Sequence, residues 1–395
     1  MAQDWLVEFL IGTGKLFLHP LFYVMFLISA YLGVSRVKRE RKNFHVRVEN
    51  AYFELRQLLP YGLLIGLCLS IFIVAAGVVI PFGAIVLIAA ASFLFLLTTK
   101  IRFVSPAYTL GIALIAMFLI HWQNWTIPFI ETKNFNGQAF PAVAILLGLL
   151  IIAEGILILW NGKKGTSPML IKGKRGAGVG AHEVKRLWMV PLFLLIPGDV
   201  LQLPFSWWPT FAVGGETFSL LLVPFGIGIH QQIQAVLPAI AMKTHGKQVV
   251  ILGVVIAFLA GGAYFMPVAS IAVAMIAIVS REIIVWRLRI REQNLPFYFS
   301  KQNHGLMILG ILLDSPASKM ALKVGEIISK VNGQTVTDET EFYEALQRNR
   351  AHCKLEVYDV NQEVRFVQRA LYEGDHHELG ILFVQDEKKK DYQAG

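Results

Sequence analysis

Long apolar runs occupy most of the first 295 residues, and short polar segments separate them. A bilayer core about 30 Å thick requires about 20 apolar residues in helical form, so runs of this length predict membrane spans. The pattern predicts a polytopic α-helical membrane domain of eight or nine spans, with eight applying if one short segment is interfacial or re-entrant. The nine runs are Leu16–Val34, Leu58–Ile80, Ala84–Thr99, Phe103–His121, Phe140–Trp160, Leu187–Leu203, Phe218–Ala239, Val249–Met266 and Val268–Trp286.

The segments between these runs carry the charge. Two of them are strongly basic and are predicted to be cytoplasmic loops, at residues 35–57 and 161–186. Lys and Arg are retained on the cytoplasmic side of membrane proteins, so the basic segments set the orientation. An N-terminus outside the cell and a cytoplasmic C-terminal region satisfy every basic loop when the span count is nine. One predicted span is unusually polar, because it contains His230-Gln231-Gln232-Ile233-Gln234.

Composition supports a membrane protein and changes the interpretation of the net charge. The chain is 55% hydrophobic and 16% charged, whereas soluble domains are about 25% charged. The net charge of +9 is compatible with a nucleic-acid partner at first sight. Residues 296–395, however, hold 12 basic and 15 acidic side chains, so the basic excess lies in the loops of the apolar part. We therefore predict the lipid bilayer as a partner and exclude nucleic acid.

Two carboxylates fall inside predicted spans. Glu154 lies in the middle of the fifth run, and Asp199 follows Pro197-Gly198 in the sixth. Ionisable groups at membrane depth are candidates for a transport path or a proton relay. A carboxylate facing a polar seam between helices is the alternative, and we favour it because the two residues lack a repeat-symmetric arrangement.

The sequence carries no motif for catalysis, cofactor binding or metal binding. The pair His182-Glu183 is followed by Arg186 where a zinc-protease helix needs its second His. A Gly-x-Ser-x-Gly nucleophile turn is absent, and Lys172–Gly178 lacks the Gly-Lys-Ser/Thr ending of a phosphate loop. We predict a protein that is not an enzyme and that uses no cofactor or metal.

The composition changes near Leu295, and residues 296–395 are predicted to form a small α+β domain in the cytoplasm. Asn332-Gly333 is a strong hairpin signal between two short apolar segments. Asp338 followed by Glu341 has the spacing of a helix capping box. The predicted strands are Leu306–Leu313, Ile327–Val331, Lys354–Val360, Glu363–Leu371 and Leu379–Val384.

Three segments of this domain resemble the bacterial PDZ family: Asp314-Ser315-Pro316-Ala317, Ala321–Ile328 and Val331-Asn332-Gly333. Members of the family bind a peptide by strand addition beside a helix. The family's carboxylate loop is matched by Glu378-Leu379-Gly380-Ile381 at the end of the domain, which implies a circularly permuted PDZ-like fold. The resemblance implies a groove formed by Glu378, Leu379, Gly380, Ile381, Leu382 and Phe383 and edged by Thr340, Tyr343 and Glu344. Glu378 replaces a common Gly, so an internal peptide or a folded partner surface is an equal alternative to a free C-terminus.

The order of segments along the whole chain is similar to the MinJ family of division topology determinants from Bacillus and related Firmicutes. The similarity comprises Phe17-Leu18-His19-Pro20-Leu21, the basic segment from Arg36 to Lys42, a polytopic body and a terminal PDZ-like domain. It implies an adaptor in the cell membrane, at the division septum and cell poles, that links DivIVA to MinD. The MinC–MinD inhibitor of FtsZ assembly would thereby be recruited. A transporter with a regulatory PDZ domain and a regulator of a membrane protease are the alternatives.

Overall fold

The computed structural model describes residues 2–127, 135, 137–173, 176, 178–201, 217–349, 351–371 and 379–384. The helices are α1 (Ala2–Leu16), α2 (Pro20–Phe44), α3 (Phe53–Gln57), α4 (Pro60–Ala75), α5 (Phe82–Leu97), a 3-10 helix (Ile101–Val104), α6 (Pro106–Trp122), α7 (Ala139–Asn161), α8 (Pro238–Gly262), α9 (Ala269–Asn294), α10 (Pro316–Lys319) and α11 (Glu339–Gln347). The strands are β1 (Ser167–Lys172), β2 (Gly178–Leu201), β3 (Phe218–Ile233), β4 (Leu306–Ile311), β5 (Ile327–Val331), β6 (Gln334–Thr335), β7 (His352–Tyr358), β8 (Val364–Ala370) and β9 (Ile381–Phe383).

Helices cover seven of the nine predicted runs. By length and composition, five helices in the described part of the chain could cross a membrane: α2, the segment Phe53–Ala75, α7, α8 and α9. Two shorter apolar helices, α5 and α6, pack with them. The expected α-helical membrane body is therefore present, with fewer full-length helices than the eight or nine predicted.

The prediction of helical spans at Leu187–Leu203 and Phe218–Ala239 is wrong. Within the described residues these segments form β2 and β3, a long antiparallel pair in which Pro191 lies opposite Pro224. Proline in a helix interior removes a backbone hydrogen bond and clashes with the preceding turn, which disfavours the helix in both segments. A continuous apolar run has no periodicity that distinguishes a buried strand from a buried helix, so hydropathy alone misassigned them.

The outer edges of this β-pair are covered by helices. The amide of Met189 donates to the Leu58 carbonyl at 2.8 Å, and that of Phe193 donates to the Ser70 hydroxyl at 2.9 Å. On the other strand, Leu220 N donates to the Glu8 carboxylate at 3.2 Å. Pro191 lies between Met189 and Phe193 on the same edge and has no amide hydrogen to satisfy. Irregular or strand backbone inside an apolar body requires such partners, because unpaired amides there are costly.

Two glycines of α4 allow the helix to lie directly against β2. A Cβ atom added to Gly62 would come within 1.8 Å of the Met189 carbonyl oxygen, and one added to Gly66 within 2.2 Å of that of Pro191. Only glycine permits this separation between the helix and the strand. The pair β2–β3 is therefore an inner layer of the membrane body, with Leu192, Leu194 and Leu195 fully buried.

The two basic segments are more ordered than the predicted loops. α2 continues through the first segment to Phe44, because Arg36 and Glu40 form an i,i+4 ion pair of 2.9 Å within it. The chain then turns back, and α3 follows at residues 53–57. In the second segment, β1 pairs with the first residues of β2, with Ser167 opposite Glu183. Loops at residues 35–57 and 161–186 are thus replaced by a helix end and a strand pair.

The C-terminal region forms its own core. Its sheet has the strand order β8-β7-β5-β4-β9, with β6 paired to β5. The predicted strands and the helix after Asp338 are confirmed, and α11 packs Phe342, Ala345 and Leu346 into the core. In this arrangement β9 lies next to β4 at the end of the sheet, and α11 packs against β9, although both are distant from β4 in sequence.

The opposite face of β4 is docked on the membrane body. Phe299 and Leu309 are fully buried and pack with Phe44, Leu170 and Leu237, which belong to α2, β1 and the residue before α8. Backbone hydrogen bonds add to the contact: Gly180 N donates to Phe299 O at 2.8 Å, and Tyr298 N donates to Gln234 O at 2.8 Å. The C-terminal region is therefore attached by a packed interface as well as by the chain.

Candidate functional site

The region between β9 and α11, which the PDZ resemblance predicts to be a groove, is the first candidate site. Among the described residues β9 is the terminal strand of the sheet, and no described strand is paired with its outer edge. The Phe342 ring of α11 meets the Phe383 ring of β9 at 5.1 Å between centroids, which fixes the separation of helix and strand. The backbone before β9 is held by hydrogen bonds from Leu312 N to Gly380 O at 2.8 Å and from Ala317 N to Leu379 O at 3.0 Å.

Gly380 is required at the turn into β9. Its φ of +78° lies in the left-handed region, and an added Cβ would come within 2.3 Å of the Ser315 Cβ. The turn therefore depends on the Ser315-Pro316-Ala317 segment that carries the PDZ resemblance. Of the predicted groove residues, Leu379 to Phe383 lie at this edge and are buried, and Glu378 lies outside the described residues.

The helix side of the groove begins with the expected cap. Asp338 accepts a hydrogen bond from Glu341 N at 2.9 Å, and Glu341 accepts from both the amide and the hydroxyl of Thr337. These hydrogen bonds lower the pKa of the Glu341 carboxyl, because they favour its charged form. Along the helix, Thr340 and Glu344 are exposed and Tyr343 is half-buried, which leaves a polar rim beside the apolar core.

The second candidate site contains Glu154, which is fully buried in α7. Its carboxylate accepts hydrogen bonds from Arg281 of α9 at 2.6 Å and from the Ser105 hydroxyl at 2.6 Å. Arg281 lies 3.2 Å from a ring nitrogen of His245, whose other nitrogen meets Gln231 at 2.6 Å. Asp199 lies in β2, and its side chain lies outside the described part of the structure.

Sequence reasoning missed Arg281 and His245 as the partners of Glu154. The signal was available, since Arg281 and Glu282 interrupt the final apolar run, and paired charges at membrane depth commonly neutralise each other. The observed network ties α7 to α9 through the Glu154–Arg281 pair. In the described residues, no group of three or more His, Cys, Asp or Glu side chains is arranged to hold a metal ion.

His182 marks the interface between the membrane body and the C-terminal region. Its imidazole lies between the Thr166 hydroxyl at 2.9 Å and the Leu309 carbonyl at 3.0 Å, and its ring packs on Phe299 at 5.0 Å between centroids. The sequence analysis considered His182 only as part of an incomplete zinc motif. The structure places it instead at the contact between β2 and β4.

Known proteins are similar to this chain over its whole length, including the membrane body and the C-terminal region. The cell division topological determinant MinJ of Bacillus subtilis (strain 168) is 41% identical over 397 residues, which is 100% of this chain and 99% of that protein. The chain belongs to the MinJ family. A probable MinJ from Lacticaseibacillus paracasei is 24% identical over 93% of this chain and 95% of its own length. No family model and no solved structure matches the chain.

The names of these MinJ relatives describe a determinant of cell division topology and no enzymatic activity. A short similarity to a protease also exists: the mitochondrial serine protease HTRA2 of Drosophila ananassae is 29% identical over 72 residues. It covers 18% of this chain and 16% of the protease, too little to extend that protein's activity to a MinJ family member.

In this MinJ family member, docking of the C-terminal region is expected to weaken in acid. Burial lowers the pKa of His182 to about 4, from an ordinary value of 6.5. The neutral imidazole therefore stabilises docking above pH 6.5, and that contribution is lost as the pH falls toward 4. We expect the docking equilibrium to fall between pH 7 and pH 5, by at most about 20-fold, which is the change expected when the whole shift arises from docking.

Energy transfer between probes on the membrane body and on α11 measures this equilibrium. A His182→Gln variant keeps a polar side chain and is expected to lose the pH dependence. An identical pH response in that variant would assign the effect to another group.

Proposed function

We propose that the chain is a membrane-embedded adaptor for division-site selection, bridging the polar and septal scaffold DivIVA to MinD and so recruiting the MinC–MinD inhibitor. The observation that carries the proposal is the similarity to Bacillus subtilis MinJ, which extends over the whole chain, including both the membrane body and the C-terminal region. The proposed location is the cell membrane at the septum and poles, with the C-terminal region in the cytoplasm.

The groove between β9 and α11 is the proposed contact for a protein partner. An open strand edge offers backbone hydrogen bonds to an extended segment, and neighbouring side chains select its sequence. Thr340, Tyr343 and Glu344 are proposed to read the partner from the helix side, and Gly380 holds the strand in position. This use of the groove is supported by the PDZ-like order of segments and by the terminal position of β9.

The docked interface gives the adaptor a physical advantage. Packing of Phe299 and Leu309 on the membrane body holds the groove at a fixed place beside the membrane. A partner bound there loses less freedom when it meets a second membrane-bound component, because both are confined to the same surface. Two proteins at the membrane can thus be brought together without any catalytic step.

A transporter is a weaker proposal for this chain. Glu154, the carboxylate on which such a role would depend, is engaged by Arg281 and Ser105 and is fully buried. A regulator of a membrane protease is also a weaker proposal. The short similarity to HTRA2 is the observation that points toward proteases, and it assigns no role to any residue of this chain. The adaptor accounts for the full-length relationship without either activity.

The proposal is tested by imaging a fluorescent fusion in dividing cells, with and without residues 296–395. We expect the full chain to concentrate at septa and poles and to be required there for MinD. Uniform membrane fluorescence of the full chain would contradict the division-site role. If removal of residues 296–395 abolished the localisation of MinD at septa and poles, but not that of the fusion, the MinD contact would lie in the C-terminal region.

A groove-blocking variant gives a finer prediction. Replacing Thr340 and Glu344 by Trp places two bulky rings at exposed positions of α11, the helix that the PDZ resemblance places beside the added strand. We expect at least one of the DivIVA and MinD contacts, measured with purified partners, to weaken about tenfold or more, the loss of about 1.4 kcal/mol. Gln368→Trp is the matched control, because it is exposed on β8 at the opposite edge of the sheet. Unchanged binding of both partners by the double variant would exclude the groove.

A further inference from the structure

A cavity of about 150 Å³ lies where α2 meets the strand pair β1–β2. Its lining includes Ser35, Arg36, Arg39, Glu54, Glu183 and Lys185. The volume is well below the 300–1,000 Å³ typical of pockets for drug-sized ligands, so it suits a small group. Charged side chains surround the cavity, so the net charge of these side chains determines which ligands could bind there.

The carboxylates at the cavity are already engaged. Glu54 accepts from Arg36 at 2.6 Å, and Glu40 accepts from Arg36 at 2.9 Å, from Val48 N at 2.8 Å and from the Ser167 hydroxyl at 2.8 Å. Glu183 pairs with Arg39 and with His230. Arg36 donates a further hydrogen bond of 2.6 Å to the Asn50 carbonyl, so its guanidinium is also well satisfied.

Two cations at the same cavity have unused donors. The Nε and one terminal nitrogen of Arg39 are buried and have no hydrogen-bond partner. Lys185 lines the cavity and makes no ion pair with any described residue. Buried donors of a charged group are costly to leave unsatisfied, and charge-assisted hydrogen bonds to an anion would satisfy them.

The charge balance points the same way. Among the residues that line the cavity, the cations Arg36, Arg39 and Lys185 stand against two carboxylates, Glu54 and Glu183, which leaves one positive charge. A single negative charge would neutralise the cluster, and buried charges are normally paired in this way.

We propose that this cavity binds one phosphate-type monoanion, held by the free donors of Arg39 and by Lys185. A phosphodiester carries the single negative charge that the cluster lacks. Tyr31 and Val34, on the turn of α2 that precedes Ser35, are 52% and 60% exposed and belong to an apolar helix long enough to span a membrane. The cavity thus lies at the depth of lipid headgroups, where the anion can come from a phospholipid or from free phosphate.

Thermal unfolding of the full-length protein in detergent tests the site. We expect phosphatidylglycerol to raise the unfolding midpoint and diacylglycerol, which lacks the phosphate, to leave it unchanged. Lys185→Gln removes a cation that makes no ion pair with the described residues, so the fold is expected to persist while the apparent Kd for phosphatidylglycerol rises about tenfold. Lys38→Gln, at an exposed position of α2 beside the cavity residue Arg39, is the matched control and is expected to bind as the parent does.

Addition of inorganic phosphate in place of the lipid distinguishes the two sources of the anion, a phospholipid headgroup and free phosphate. Stabilisation by phosphate that is lost in Lys185→Gln would assign the site to a soluble anion, and stabilisation by phosphatidylglycerol alone would assign it to the headgroup. Arg39→Gln provides a second variant for either case. Equal stabilisation of the parent and the Lys185→Gln protein, or no stabilisation by either phosphate compound, would overturn the proposal.

Discussion

Replacement of Glu154 by Leu is expected to lower the free energy of unfolding of the membrane body by about 3–5 kcal/mol. The substitution leaves the Arg281 guanidinium buried without its carboxylate, and an unpaired buried charge is far more costly than a buried pair is stabilising. Arg281 is almost fully buried and its Nε has no partner in the described structure, so little else can compensate. The change is measured by thermal or denaturant unfolding of the purified protein in detergent.

The neighbouring acid provides the control. Glu282 accepts from Arg102 at 3.0 Å and from the Tyr108 hydroxyl at 2.9 Å in a partly exposed position, and Glu282→Leu is expected to cost about 1–2 kcal/mol, less than Glu154→Leu. A double variant, Glu154→Leu with Arg281→Met, removes both charges and is expected to recover much of the loss. If Glu154→Leu kept the parent's stability and lost function, the carboxylate would have a role in transport and the structural interpretation would fail.

Replacement of Phe299 by Ala is expected to release the C-terminal region from the membrane body. Phe299 is fully buried between Leu309, Phe44 and Leu170, and the loss of such a ring costs about 3–5 kcal/mol. That cost exceeds a hundredfold change in the docking equilibrium. Hydrogen exchange at β4, or cleavage by protease between α9 and β4, would report the released state.

Phe366→Ala tests whether the effect is specific to the interface. Phe366 belongs to β8 and is 65% exposed, so the same truncation there is expected to leave docking unchanged. Retained protection at β4 in the Phe299 variant would mean that the backbone contacts at Gly180 and Gln234 suffice to hold the region. Imaging the released variant in cells would then show whether a docked groove is needed for localisation.

The sequence predicted those parts of the fold that have a local signal. Seven apolar runs were correctly predicted as helices because each is long and mostly apolar, and the order of strands after Leu306 follows from turn residues such as Asn332-Gly333. Two runs were misassigned because an apolar strand and an apolar helix have the same composition. Pro191 and Pro224 are the residues that disfavour a helix in these runs. That they lie opposite each other is known only from the strand pairing in the structure.

In the candidate sites, too, features with a local sequence signal could be predicted, and features that depend on packing could not. The edge formed by Leu379 to Phe383 could be inferred from a motif, because its residues are consecutive. The partners of Glu154 could not, since Arg281 is 127 residues away and only the packing of α7 against α9 brings them together. The docking of Phe299 depends likewise on β1 and β2, which the sequence presented as a flexible loop and a membrane span.

The β2–β3 pair has a consequence for how the chain is made. A helix can enter a bilayer alone, because its backbone hydrogen bonds are internal. β2 cannot, since the amides of Met189 and Phe193 require Leu58, which precedes α4, and Ser70 of α4, and those of its other edge require β3. During synthesis, α1 to α7 emerge before these strands, and β2 can complete its hydrogen bonds only after β3 has emerged. A chain that stops near residue 201 would lack β3 and would leave the amides on that edge of β2 without their partners.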